Sequence, residues 1–361
     1  MLGRTGSPVR TAVKRSDLPR VGDSAEETQV GIAPFCTSLS TFVWAVANGC
    51  PWQSEATCRI LAEGGHLEVL RWAREHGCPW DEDTCAWAAD GGHLEVLKGA
   101  REYGLGCPWD RRTCELAAAG GHLEVLQWAR EHGCPWDERT CVCAASCGQL
   151  EVLRWAREHG CPLDYATCEY AASGGYLEVL KWAREHGCPW NEDVCTAAAQ
   201  GGHLEVLKWL REHHCPWDVD VCAFAAEGGH LEVLRWAREH GCPWNTGVCM
   251  FAASGGYLEM LQWAREHECP WDVGTCCSAA GGGHLAVLQW ARVHNCAWDE
   301  ETCESAAFGG HLDVLRWARE HDCPWDVGTC EYAADNGHME VLRWAIEHGC
   351  PGSEQYVHRL T

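Results

Sequence analysis

The sequence predicts an all-α protein, a solenoid of about eleven short helix–turn–helix repeats. Three observations carry that prediction. The tripeptide Cys50-Pro51-Trp52 returns at Cys78, Cys107 and Cys134, and then every 27 residues down to Cys350-Pro351-Gly352. A period of about 20–50 residues marks an array in which each member buries its apolar face only against its neighbours. Between successive tripeptides the same order recurs: an Asp or Asn, a short stripe of small residues, a Gly, then an amphipathic stretch that ends at a second Gly. The two or three domains that 361 residues would ordinarily imply are therefore replaced by one repetitive body.

Residues 1–37, rich in Gly, Pro, Ser and mixed charge, read as a disordered tail. The array runs over 38–350, opening on a half repeat that ends at Gly49, and 351–361 form a C-terminal tail with no polar capping repeat. In the repeat that starts at Asp81, this residue caps a first helix by accepting a backbone N–H, as do its counterparts from Asp110 to Asp326. Cys85, Ala88 and Ala89 give that helix a narrow apolar stripe at i, i+3 and i+4. Gly92 ends it, and a Gly stands there in every repeat from Gly65 to Gly337, where the chain must turn left-handed. A second helix follows, read most cleanly in Leu67–His76. Leu67, Val69, Leu70, Trp72, Ala73 and His76 face inward, while Glu68, Arg71 and Glu75 lie on the solvated side. Gly77 stops it. His214, Glu268, Asn295 and Asp322 replace that Gly elsewhere, and the His and Glu turns are expected to be strained. The second repeat departs most: Lys98-Gly99 interrupts the helix pattern and Leu105-Gly106 lengthens the turn, predicting a slack joint there.

Charge limits the partners. Lys and Arg number 28 against 52 Asp and Glu, a formal charge of −24. The basic excess is confined to the tail, where Arg4, Arg10, Lys14, Arg15 and Arg20 face Asp17 alone. So acidic a body repels phosphate backbones, which excludes nucleic acid and favours a basic protein partner. No stretch is long and apolar enough for a membrane span and no secretory leader opens the chain, so an intracellular, reducing compartment such as the cytoplasm is expected. The Arg, Ser and Thr of the tail leave an organelle-targeting alternative.

Cysteine and tryptophan, 27 and 22 residues, fall on the period. One Cys stands in each closing loop and one in each first helix. With His76 and His93 nearby, each repeat offers two Cys and two His. The paired C-x₂-C spacing of zinc ligands is absent, however, and Gln149, Tyr176, Tyr257 and Tyr103 occupy His positions. Equivalent Cys of adjacent repeats should stand about 10 Å apart, too far for bridging. The thiols are thus read as small buried hydrophobes. Cys141, Cys143 and Cys147 form an irregular cluster with redox or metal potential. The tryptophans read as two buried ladders along the stack, compensating for a lost hairpin, rather than as an exposed ladder for bases or sugars.

Ala88-Ala89-Asp90-Gly91-Gly92-His93-Leu94-Glu95-Val96-Leu97 and Glu131-His132-Gly133 resemble the core of ankyrin repeats over residues 38–350. Ankyrin repeats usually run about 33 residues and open on a β-hairpin finger. The repeat here is shorter by the length of that finger, so hairpins are expected to be short or absent. The resemblance implies a concave groove lined by first helices and preceding loops. It places there the side chains that differ between repeats: Ala86, Trp87, Asp90, Arg111, Arg112, Glu115, Leu116, Glu169, Tyr170, Phe224, Phe251, Glu331 and Tyr332. The function expected is a protein–protein interaction scaffold, a monomer without catalytic residues, cofactor or metal. The alternatives are a Cys- and His-rich metal-binding or redox-buffering protein and, below it, a substrate-recruiting adaptor.

Overall fold

The computed structural model describes residues 33–102 and 106–360, and every regular element among them is helical. The array is all-α, built from repeated helix pairs with no hairpin between them among the described residues. Most of the tail assigned to residues 1–37 lies outside the described residues. Ala33–Phe35 form a short 3-10 turn, and Cys36 is buried.

The chain divides after Val194 into two compact segments. In the N-terminal segment the first helices are Glu55–Glu63, Glu82–Asp90, Arg111–Gly120, Glu138–Ser146 and Tyr165–Ser173. Its second helices are Leu67–Glu75, Leu94–Glu102, Leu123–Glu131, Leu150–Glu158 and Leu177–Glu185, preceded by Leu39–Ala47 of the half repeat. The C-terminal segment continues with first helices Val219–Glu227, Thr246–Ser254, Val273–Gly281, Glu300–Phe308 and Val327–Asp335. They are paired with Leu231–Glu239, Leu258–Glu266, Leu285–Val293, Leu312–Glu320 and Met339–Glu347. Glu192–Gln200 and Leu204–Glu212 form the pair between these two sets, and the division falls within its first helix.

Each helix begins and ends for a visible reason. Asp81 is extended, with φ −137°, and its carboxylate accepts the N–H of Asp83 at 3.1 Å. Asp110, Asp137, Asp218, Asn245, Asp272, Asp299 and Asp326 do the same for their own helices, each bond worth about 1 kcal/mol. Cys85, Ala88 and Ala89 are fully buried, and so small a stripe lets successive first helices lie close side by side. The second helices of neighbouring repeats lie farther apart.

The glycine pair at the turn is dictated by the neighbouring repeat. Gly92 sits at φ +73°, and a Cβ there would come within 2.5 Å of the His122 ring in the next repeat. A Cβ on Gly91 would come within 2.5 Å of the Glu63 carbonyl of the repeat before. The imidazoles occupy that space because their Nε2–H donates backwards along the stack. His93 reaches the Glu63 carbonyl at 2.8 Å, His122 that of Asp90 at 2.8 Å, His230 that of Gln200 at 3.0 Å and His338 that of Phe308 at 2.9 Å. Gln149 makes the same bond to Ala119 at 3.4 Å. The hydrogen bond at the turn thus links repeats. At Gly337, in the last repeat, nothing lies within 4 Å of an added Cβ.

The closing loop is held from three sides. The N–H of Cys78 bonds the Ala73 carbonyl at 3.0 Å, and Arg74 donates to the Cys78 carbonyl at 3.3 Å while its guanidinium lies 4.8 Å from the centre of the Trp80 ring. The Cys78 thiol donates to the Ser54 carbonyl at the start of its own repeat, 3.4 Å away. The second repeat keeps every one of these features in spite of its longer turn. Cys107 N–H bonds Ala100, its thiol reaches the Asp81 carbonyl at 3.3 Å, and Arg101 bonds Cys107 at 2.7 Å and covers Trp109 at 4.1 Å. The slack joint expected at Leu105-Gly106 falls on a turn of which residues 103–105 lie outside the described residues. Gly99 replaces a Trp where a Cβ would meet Leu67 at 2.5 Å. At the other end Ser353–Leu360 form a 3-10 helix against the last pair, with Ser353 buried and Arg359 paired to Asp335 at 2.8 Å.

His214, Glu268, Asn295 and Asp322 all adopt the left-handed conformation of the glycines they replace, at φ 61°, 65°, 63° and 64°. Nothing lies within 4 Å of a Cβ at Gly77 or Gly133, so the strain is conformational and not steric. Glu268→Gly is expected to raise stability by about 1 kcal/mol in urea denaturation. At the helix turn, Gly92→Ala should cost more than about 2 kcal/mol, because the backbone strain is joined by the clash with His122, whereas Gly337→Ala should cost only about 1 kcal/mol. Equal losses in the two melts would contradict the inter-repeat origin of the constraint.

Candidate partner-binding face

The side chains that vary between repeats emerge along the row of first helices, and many of them meet their counterparts in the next repeat. In the N-terminal segment the meeting is ionic. Arg112 pairs with Asp83 at 2.6 Å, and Arg59 approaches the same carboxylate at 3.9 Å. Arg111 bonds Asp137 at 3.0 Å, and Glu115 lies 3.5 Å from Arg111 and 3.4 Å from Arg139. Trp87 carries the Arg59 guanidinium 5.8 Å from its ring centre. Burial pushes the Glu115 carboxyl above the usual carboxylate range, and Arg139 and Arg111 oppose the rise. Arg59, Asp83 and Arg139 were not among the expected face residues, and Asp137 was expected only as a helix cap. Opposite charges spaced roughly one period apart were the signal for them.

In the C-terminal segment the meeting is apolar and acidic. Phe224 and Phe251 lie 6.0 Å apart, and Phe308 and Tyr332 meet edge to face at 6.1 Å. Phe308 and Tyr332 are 56% and 43% exposed, large values for side chains this apolar. Gln200 bonds Glu227 at 3.0 Å. The first helices from Val219–Glu227 to Val327–Asp335 contain no Lys or Arg. Their acidic side chains therefore crowd. Burial, and then a hydrogen bond with Asp326, push the Glu304 carboxyl up to about 7. Gly328 makes the room, since a Cβ there would come within 2.3 Å of the Glu304 carboxylate.

Of the side chains expected to line a groove, two are withdrawn from the surface. Ala86 is fully buried and Glu115 is 6% exposed, because their position on the helix points at the adjacent first helix and small or ion-paired side chains there are covered. Ala86 is therefore corrected from a contact residue to a packing residue. Trp87, Asp90, Arg112, Leu116, Glu169, Tyr170, Phe224 and Phe251 are half-buried, and Arg111, Glu331 and Tyr332 are exposed.

The repeated imidazoles and indoles are committed to one another. In the second helix Nδ1 of His76 bonds the Trp72 carbonyl at 2.8 Å and its ring stacks on Trp72 at 3.8 Å. The same stack recurs from Trp128–His132 to Trp344–His348. The loop ring of Trp109 takes the Arg101 guanidinium on its face and the edge of Trp128 at 5.9 Å, so its surfaces are occupied from within. The two Cys and two His of a repeat do not converge on one point, since the imidazoles point at carbonyls. Among the described residues, Cys277, Asp299 and Glu301 are a group whose ligand atoms lie within 4.8 Å of one another. It does not recur, and Asp299 already caps its helix through the Glu301 N–H at 3.1 Å. Cys141 is engaged with Cys161, while Cys143 is buried and its thiol pushed up to about 12 by that burial.

No protein-family model matches the chain, and no curated protein sequence matches it. Among solved structures it is similar to the human ASB11 ankyrin repeat domain, at 17% identity and a TM-score of 0.37, over 44% of this chain and 84% of that one.

Glu304 supplies a pH test. Its folded pKa lies above the unfolded value of 4.5, so its contribution to stability is complete below about pH 4.5 and is lost as pH rises through about 7. Glu304→Gln should therefore be more stable than the parent at pH 8 and show a flatter stability profile between these limits, measured by urea denaturation across pH.

Proposed function

We propose that the chain is a protein-interaction scaffold that grips a basic partner protein along its first-helix face. The observation that supports this reading is the placement of variation. The frame of caps, turns, imidazoles and indoles is nearly constant, whereas the unrepeated side chains converge on one row. First helices set closer together than second helices are consistent with that row lying on the hollow side of each segment. In the C-terminal segment Phe224, Phe251, Phe308 and Tyr332 serve as apolar anchors, of types enriched where binding energy concentrates. The carboxylates around them, among them Glu331, supply a field complementary to Lys and Arg. In the N-terminal segment Trp87, Asp90, Leu116, Glu169 and Tyr170 line the first-helix row of that segment, with Arg111 and Arg112 tied into ion pairs. The chain works as a monomer, without catalysis, and neither nucleic acid nor membrane is its target. No helix of the described residues is long and apolar enough to cross a membrane. The free thiols suit a reducing intracellular compartment.

Purified full chain titrated calorimetrically with short peptides alternating Lys or Arg with Leu or Phe should bind them and ignore Glu-substituted versions. Binding should weaken with added salt, and by about tenfold in the double variant Phe251→Ala, Tyr332→Ala. Affinity unchanged in that variant, or acidic peptides binding as well as basic ones, would refute the proposal.

A further inference from the structure

The two cysteines of a repeat are not equivalent, and it is these two that meet. Cys58 of the first helix donates its S–H to Cys78 of the closing loop at 3.1 Å. The same sulfur-to-sulfur hydrogen bond joins Cys85 to Cys107, Cys114 to Cys134, Cys141 to Cys161, Cys168 to Cys188 and Cys195 to Cys215. It recurs in Cys222–Cys242, Cys249–Cys269 and Cys276–Cys296, and with the opposite sense, the loop S–H donating to the helix sulfur, in Cys303–Cys323 and Cys330–Cys350. Every member of these pairs is buried and in the free thiol form. The distance that argues against bridges between equivalent Cys of adjacent repeats does not apply inside a repeat.

We propose that each repeat is a dithiol–disulfide site, in which hydrogen peroxide oxidises the first-helix thiol and the closing-loop thiol of the same repeat to an intra-repeat disulfide. Two S–H bonds and the peroxide O–O bond break and one S–S bond forms. Two electrons pass from the sulfurs to the peroxide oxygens, and the two thiol protons leave in two molecules of water. The loop sulfur of Cys78, Cys161, Cys188 and Cys296 is held below the usual thiol range, first because it accepts the S–H of its partner. Arg74, Arg184 and Arg292 lower it further at Cys78, Cys188 and Cys296. In these repeats the loop thiolate attacks the peroxide and becomes a sulfenic acid, whereas at Cys330–Cys350 the helix sulfur is the lowered one and the two roles exchange. The partner sulfur then displaces hydroxide from it, and the hydroxide leaves as water with the partner's thiol proton. A metal cation is a poorer occupant of the same pair. The charged group beside the loop sulfur is a guanidinium, and the imidazoles of the repeat are turned to carbonyls.

The test is disulfide mapping. The folded full chain is treated with hydrogen peroxide, unfolded in the presence of iodoacetamide, digested and read by mass spectrometry. The expected products are linked peptides joining the partners named above, each lighter by two hydrogens, with a helical circular-dichroism spectrum retained and the thiols recovered with dithiothreitol. Cys215→Ser should leave Cys195 alkylated while the other pairs still link. Because the mapping of the parent chain stands alone, a misfolded variant would not rescue the idea. Paired cysteines that stay alkylatable in the treated chain, links between other partners, or irreversible over-oxidation of the paired sulfurs would overturn it.

Discussion

Everything in a repeat depends on how its last loop is tied to its first helix, and sulfur does the tying. In most repeats the first-helix S–H donates to the loop sulfur, and the loop S–H donates to the carbonyl of the capping residue, as in Cys107 to Asp81 and Cys134 to Asp110. That relay places a weak but fully buried bond where a longer repeat would have backbone pairing. It also explains why a small soft side chain is needed twice: a hydroxyl would demand stronger partners, and a methyl could make neither bond.

With the loop fixed, the remaining contacts fall into line. Arg74 or its counterpart spans the loop carbonyl and the following indole, and that indole meets the next second helix edge on. The imidazole at each turn reaches back to the previous repeat. Each contact is worth little alone, about 1 kcal/mol for a neutral hydrogen bond, but they recur along each segment and act between nearest neighbours. The constancy of this frame frees the first-helix face to vary.

Much of this was legible in the sequence. The period, the Asp caps, the left-handed glycines and the paired helices follow from spacing and backbone chemistry, and the positive φ of Glu268 and His214 could be read from substitution in an otherwise invariant column. The variable positions on the first helices were also visible. Three things were hidden. The contact of Cys58 with Cys78 is set by how the loop folds back, which spacing along the chain does not reveal. The ion pairs of Arg112 with Asp83 and Arg139 with Glu115 join different repeats, and only the side-by-side packing of first helices brings them together. The burial of Ala86 depends on the size of its neighbour, a property of three dimensions alone.

The bond each turn sends backward has a consequence for how such a chain changes over generations. A turn imidazole or glutamine finds a main-chain carbonyl, a group every residue possesses, and never a particular side chain. Copies within a segment are thus interchangeable at their junctions, and losing or duplicating one 27-residue stretch joins edges that already match. Length can drift by whole modules through misaligned recombination, while the differing helix faces are dealt into new orders.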